Sequence, residues 1–132
     1  CQVLMMRLKT DLLEIIDSAT RNKINNLKIE WTKKSSITIV LCAKGYPYNY
    51  IKDSEIKNLL NVLTDKNNQI FHAGTYEKNN KTYSSGGRVL NITSSSENLI
   101  KARDKSLSNI DKINWPDGFF RKDIGWRVIN NK

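Results

Sequence analysis

The segment Gly86-Gly87-Arg88 is the strongest candidate in this sequence for contact with a ligand. A pair of glycines lets backbone N–H groups approach an anion, and the planar guanidinium of Arg88 can bind a phosphate through two hydrogen bonds. The three residues could therefore hold a phosphorylated small molecule. The alternative is a tight turn before a strand, with Arg88 as an ordinary exposed charge.

Lys44, Gly45 and His72 are further candidates for substrate contacts. Lys44 and Gly45 follow an apolar run, and the loops of sheet-based domains commonly carry function. Lys44 could contact a phosphate there, whereas Gly45 would supply the conformation of the turn. His72 is the single histidine, so a second imidazole cannot complete a zinc site with it. Its neighbours Gly74 and Thr75 indicate a hydrogen-bonding role.

The sequence shows no catalytic set of its own. It contains neither the glycine spacing of a P-loop nor a Ser/His/Asp or Cys/His arrangement for nucleophilic catalysis. We therefore predict neither a catalytic residue nor a metal ligand within it. Cys1 and Cys42 cannot form a disulfide framework, and Cys42 lies in an apolar run, which favours a reducing cytosolic environment.

The chain is strongly basic, with 22 Lys and Arg against 13 Asp and Glu and a formal net charge of +9. Such a charge suits a nucleic acid if the basic residues share one face, but here they are scattered and not interleaved with aromatic residues. A stand-alone module that binds RNA or another polyanion is therefore the alternative hypothesis. A membrane partner is not expected, because no apolar run approaches the roughly 18 to 20 residues of a membrane span.

The elements that must position the candidate residues indicate an α+β fold. Asp11 and Glu14 have the spacing of a capping box, which predicts a helix over residues 11–22. Asn98 is the predicted N-cap of a second helix that ends near Ile110. Residues 55–63 are ambiguous between helix and strand.

Alternating or continuous apolar patterns predict the strands. Residues 36–43 are apolar on both faces, which indicates a buried central strand. Residues 88–93 alternate Val89, Asn91 and Thr93 on one face with Leu90 and Ile92 on the other. A hairpin is predicted at Lys78-Asn79-Asn80. The remaining predicted strands are residues 29–31 and 70–73, the latter adjacent to the hairpin and to residues 88–93.

Five segments, in order and with matching spacing, resemble glycinamide ribonucleotide synthetase, a family of ATP-grasp ligases. They are QVLMMRLKTDLL at 2–13, AKGYP at 43–47, FHAGT at 71–75, GGRVL at 86–90 and FRKDIGWR at 120–127. The segments extend over nearly the whole chain, which makes an accidental similarity of all five improbable. The resemblance identifies the chain as the C-terminal portion of such a ligase.

The resemblance implies a reaction that joins glycine to phosphoribosylamine with ATP in de novo purine biosynthesis, in the cytoplasm. Mg²⁺ or Mn²⁺ would bridge the ATP phosphates, and its ligands are expected before Cys1. Residues 1–26 would be the last helix of the ATP-grasp core. Residues 27–132 would be the C-terminal domain, a mostly antiparallel and partly barrel-like sheet with packed helices. The 5′-phosphate of phosphoribosylamine is then the anion expected at Gly86, Gly87 and Arg88.

Overall fold

The computed structural model describes residues 1–63 and 65–130. Helices and strands alternate irregularly along this part of the chain, and two short 3₁₀ turns, Ile24–Asn26 and Leu59–Val62, lie between them. In chain order the elements are α1 (Gln2–Arg7), α2 (Leu12–Thr20), β1 (Ser35–Ala43), β2 (Glu55–Ile56), β3 (Asn68–His72), β4 (Thr75–Lys78), β5 (Lys81–Ser84), β6 (Arg88–Ser96), α3 (Leu99–Ile110), β7 (Gly118–Phe119) and α4 (Trp126–Asn130).

The main sheet is antiparallel, with the strand order β3-β6-β1-β7. On one face, Ile39 pairs with Ile92 and Leu41 with Leu90, and α3 packs over these buried side chains to form the core. The predicted central strand is therefore confirmed. The prediction that it is apolar on both faces is wrong, because its other face carries half-buried and mostly polar side chains (Ser36, Thr38, Val40 and Cys42).

The second sheet has the order β2-β5-β4 and contains the predicted hairpin. Asn79 and Asn80 both have positive φ, 53° and 57°, as a two-residue turn between twisted antiparallel strands requires. The strands β3 and β4 were expected to be neighbours but lie in different sheets, since β3 pairs with β6. The α+β fold with antiparallel sheets is confirmed, and in the described residues neither sheet closes into a barrel.

The two predicted helices form with the expected caps. Asp11 accepts a hydrogen bond from the Leu13 amide at 2.7 Å, and Asn98 accepts one from the Lys101 amide at 2.9 Å. The strand predicted at residues 29–31 is wrong, because Trp31 forms only an isolated bridge with Leu8. The ambiguous segment 55–63 divides into β2 and a 3₁₀ turn.

The helix α1 was not predicted, and it lies on the polar face of the main sheet. It contacts β1 and β6, the same strands that α3 covers from the opposite side. It has six residues and none of them is buried, so it covers only part of that face. The described helices are all too short or too polar to cross a membrane.

Candidate functional site

An open cleft of about 710 Å³ lies on the face of the main sheet opposite α3. Side chains of the central strands form its floor, while the loops at the ends of β1 and β3 and the first turn of α1 form its rim. The floor residues are Thr38, Val40 and Asn91, and the rim residues are Gln2, Tyr46, Ala73, Gly74, Gly87 and Arg88.

A β-bulge turns Arg88 into this cleft. Leu41 pairs with Leu90, but the next residue, Cys42, pairs with Arg88, so Val89 is an extra residue in β6. Arg88 and Asn91 are three positions apart, and regular alternation would place them on opposite faces. Because bulges re-aim side chains, both residues line the cleft. The predicted alternation is wrong at Val89, which is fully buried in the core beside Leu90.

The Arg88 guanidinium has no carboxylate partner in the described part of the chain, whereas Arg21 and Arg121 pair with Asp17 and Asp123. Burial raises the pKa of the neighbouring Cys42 thiol, and the positive charge of Arg88 partly opposes that rise. Arg88 therefore presents an uncompensated charge to the cleft. An anion that enters would meet a guanidinium with its hydrogen-bond donors available.

Gly86 and Gly87 position Arg88 in different ways. A side chain at Gly87 would overlap the ring of Tyr46, so the missing Cβ lets that ring form one wall of the cleft. Gly86 packs against Gly74, and its amide donates to the Gly74 carbonyl at 3.3 Å. The Gly74 amide in turn donates to the Arg88 carbonyl at 3.1 Å, which fixes the backbone from which the guanidinium extends.

Lys44 and Gly45 lie at the end of β1, outside the residues that line the cleft. The Lys44 amide donates to the Asp117 carbonyl at 2.8 Å, and its side chain is exposed. Gly45 has φ of +94°, and a Cβ there would overlap the Asn49 carbonyl. Gly45 therefore has the positive φ of a turn position that favours glycine.

His72 also lies outside the lining of the cleft, and its Nδ1 shares a hydrogen bond of 2.9 Å with the Thr75 hydroxyl. The floor residues Thr38 and Asn91 and the rim residue Gln2 were not predicted as site residues. For Thr38 and Asn91, the only available signal was a polar residue in an otherwise apolar strand. Their common face depends on the strand register, which local patterns do not show.

A family model described as "Phosphoribosylglycinamide synthetase, C domain" matches residues 36–127. The chain belongs to this family. The match includes β1, β6 and the bulge that positions Arg88, whereas Gln2 and α1 precede it. Membership of the phosphoribosylglycinamide synthetase family does not favour the alternative of a stand-alone RNA-binding module.

Members of the family match this chain from end to end. The phosphoribosylamine–glycine ligase of Brucella melitensis is 39% identical over 100% of this chain and 31% of its own length. The chloroplastic enzyme of that name from Arabidopsis thaliana is 40% identical over 100% of this chain and 25% of its length. A crystal structure of the Thermotoga maritima ligase superposes with a TM-score of 0.64 and 28% identity, over 83% of this chain and 27% of that one. The chain thus spans about a quarter to a third of these relatives.

Proposed function

We propose that this chain is the C-terminal part of a phosphoribosylamine–glycine ligase, which forms glycinamide ribonucleotide from ATP, glycine and phosphoribosylamine in de novo purine biosynthesis. The end-to-end match to enzymes of that name supports the assignment. The observation that carries it is Arg88, which a bulge directs into a cleft without a carboxylate partner among the described residues. A site of this kind suits the phosphate of a sugar phosphate.

In this proposal Arg88 binds the 5′-phosphate of phosphoribosylamine, and Tyr46, packed on Gly87, forms one wall of the substrate site. Gly86 contributes by holding the backbone of Arg88 in place. Lys44, in the loop after β1, and His72, at the end of β3, are proposed substrate contacts outside the cleft lining, with Gly45 shaping the loop that carries Lys44. ATP would phosphorylate the carboxylate of glycine. The amine of phosphoribosylamine would then attack the carbonyl carbon of this acyl phosphate, and inorganic phosphate would leave as the amide bond forms.

ATP and Mg²⁺ or Mn²⁺ complete the proposed reaction, in which the metal neutralises charge on the phosphates. Residues 1–63 and 65–130 contain no group of three His, Cys, Asp or Glu that could hold an ion on its own. In this proposal the metal ligands and the ATP site lie in the rest of the ligase, as the family resemblance implies. Residues 1–26, which contain α1 and α2, would be the end of its ATP-grasp core, and residues 27–132 would be its C-terminal domain. The proposed location is the cytosol.

Replacing Arg88 in the complete ligase tests the proposal. Hydrogen bonds to charged groups contribute about 1.5 to 3 kcal/mol, so Arg88→Ala should lower kcat/KM for phosphoribosylamine roughly 10- to 150-fold. The KM values for ATP and glycine should change little. Arg88→Lys should recover only part of the loss, because an ammonium lacks the planar two-pronged contact.

Arg21→Ala is the matched control, since Arg21 is an exposed arginine that lies on the surface after α2 and pairs with Asp17. This variant should retain the kinetics of the native enzyme for all three substrates. If Arg88→Ala leaves phosphoribosylamine kinetics unchanged, Arg88 does not belong to the substrate site.

A further inference from the structure

The cleft continues beyond Arg88 as a neutral surface of hydrogen-bonding groups. The register places Cys42 opposite Arg88, Val40 opposite Asn91, and Thr38 opposite Thr93. Residues on one face of a strand repeat about every 7 Å, so the Asn91 row lies roughly one such step from Arg88 and the Thr38 row about two steps away. A ligand anchored at Arg88 would therefore extend over an amide and then a hydroxyl.

The side-chain amide of Asn91 has a defined orientation. Its Nδ2 donates to the Phe71 carbonyl at 3.3 Å, and because a carbonyl can only accept, this bond distinguishes the nitrogen from the oxygen of the amide. Asn91 is 8% exposed, and the exposed part faces the cleft. The bond to Phe71 uses one N–H, so Oδ1 and the second N–H are the groups that can reach a ligand.

A primary amide with one donor and one acceptor side by side matches a pair of neighbouring hydroxyl groups. The amide oxygen accepts from one hydroxyl, and the N–H donates to the oxygen of the next. The Thr38 hydroxyl, held by the Thr93 hydroxyl at 2.7 Å, offers a further neutral partner along the same line. None of these groups is charged, so this part of the cleft suits hydroxyls and not a second phosphate.

We propose that Asn91, supported by Thr38, binds the secondary hydroxyls of the pentose whose 5′-phosphate binds Arg88. This inference rests on the proposed function and adds a specificity determinant to the same site. Arg88 supplies affinity for any phosphate, whereas Asn91 distinguishes a pentose phosphate from phosphate alone. Removal of a sugar hydroxyl would leave a buried amide group without its partner, which penalises the deoxy sugar.

Calorimetric titration of the complete ligase with ribose 5-phosphate, 2-deoxyribose 5-phosphate and inorganic phosphate tests the inference. The native enzyme should prefer ribose 5-phosphate to both other ligands. Asn91→Ala should reduce the preference over inorganic phosphate roughly 5- to 150-fold, because two neutral hydrogen bonds are lost, and should leave phosphate affinity unchanged. Arg88→Ala should weaken all three ligands together.

Two further variants guard against a folding defect. Thr38→Val keeps the shape of the side chain and should produce a smaller loss of the same preference. Ser36→Ala is the control, because Ser36 lies on the same face of β1, pairs with Ser95 and is outside the cleft lining. The Ser36 variant should bind all three ligands as the native enzyme does.

The outcomes separate this inference from the proposed function. Equal affinity of the native enzyme for ribose 5-phosphate and phosphate, or an unchanged preference in the Asn91 variant, would overturn the role of Asn91. The kinetics of Arg88→Ala would still decide the proposed substrate in that case. A preference that depends on Asn91, together with normal kinetics for Arg88→Ala, would support the sugar contact and refute the phosphate contact.

Discussion

The close contact between Gly74 and Gly86 makes a strong prediction about stability. A Cβ added at Gly74 would lie 2.7 Å from the Gly86 Cα, 2.8 Å from the Gly86 nitrogen and 2.8 Å from the Arg88 carbonyl oxygen. All three are backbone atoms and cannot rotate away. At Gly86 the added Cβ would meet the Gly74 Cα at 3.1 Å, and its next neighbour is 3.5 Å away. Gly74→Ala should therefore destabilise the chain more than Gly86→Ala.

The magnitude follows from overpacking and from the hydrogen bonds at the contact. Inserting a group into packed structure costs about 1 to 3 kcal/mol. Separating the two backbones also weakens the bonds from the Gly74 amide to the Arg88 carbonyl, 3.1 Å, and from the Ser85 amide to the Gly74 carbonyl, 2.8 Å. Each such bond contributes about 0.5 to 1.5 kcal/mol. We expect a loss of about 2 to 4 kcal/mol for Gly74→Ala and about 1 kcal/mol for Gly86→Ala.

Urea unfolding of the 132-residue chain, followed by circular dichroism, measures the two losses as shifts of the transition midpoint at constant slope. The midpoint of thermal unfolding should fall by roughly 8 to 16 °C for Gly74→Ala. A Gly74→Ala chain as stable as the native one would refute the reasoning. So would a Gly86→Ala chain that is the less stable of the two variants.

Three further predictions concern the pH dependence of stability, the activity of the isolated chain and its affinity for RNA. Lys105 donates to Asp65 at 2.8 Å and holds the pKa of that carboxyl below its ordinary value of 3.8. The ion pair stabilises the fold fully above pH 3.8, and this stabilisation is lost as the pH falls through the lower pKa of the folded state. Asp65→Asn should therefore reduce the loss of stability in acid. Urea midpoints measured from about pH 5 to pH 2 compare the two chains. The purified chain, given ATP, Mg²⁺, glycine and phosphoribosylamine, should release no ADP, and metal-dependent release that copurifies with it would place a catalytic centre within these residues. The chain should bind RNA weakly and without sequence preference, with an affinity that falls steeply between roughly 50 and 200 mM salt. Binding that resists salt and selects a sequence would instead support the alternative hypothesis of an RNA-binding module.

The sequence predicts α2, α3 and several strands because their signals are local. Asp11 and Asn98 cap their helices through contacts two or three residues ahead, so the caps can be recognised from spacing alone. The Asn79-Asn80 turn is similarly local, since both residues tolerate positive φ. Arg88 and Gly87 could be selected as candidate site residues from their residue types for the same reason.

The floor of the cleft could not be predicted in this way, because it depends on contacts between distant parts of the chain. Thr38 and Asn91 share a face only through the register of β1 and β6, and the bulge at Val89 reverses the alternation that the sequence suggests. The helix α1 is too short to have a clear periodic signal, and it is positioned by packing on the sheet. Tertiary contacts therefore decide which polar residues meet.

The bulge at Val89 makes one residue of β6 dispensable for the strand register. Without Val89, Cys42 would still lie opposite Arg88 and Leu41 opposite Leu90, so deletion of its codon would restore a regular ladder and keep Arg88 on the face of the cleft. The deletion would instead remove a fully buried side chain from the core on the other face of the sheet. A chain without Val89 should therefore lose stability through the core while Arg88 still faces the cleft.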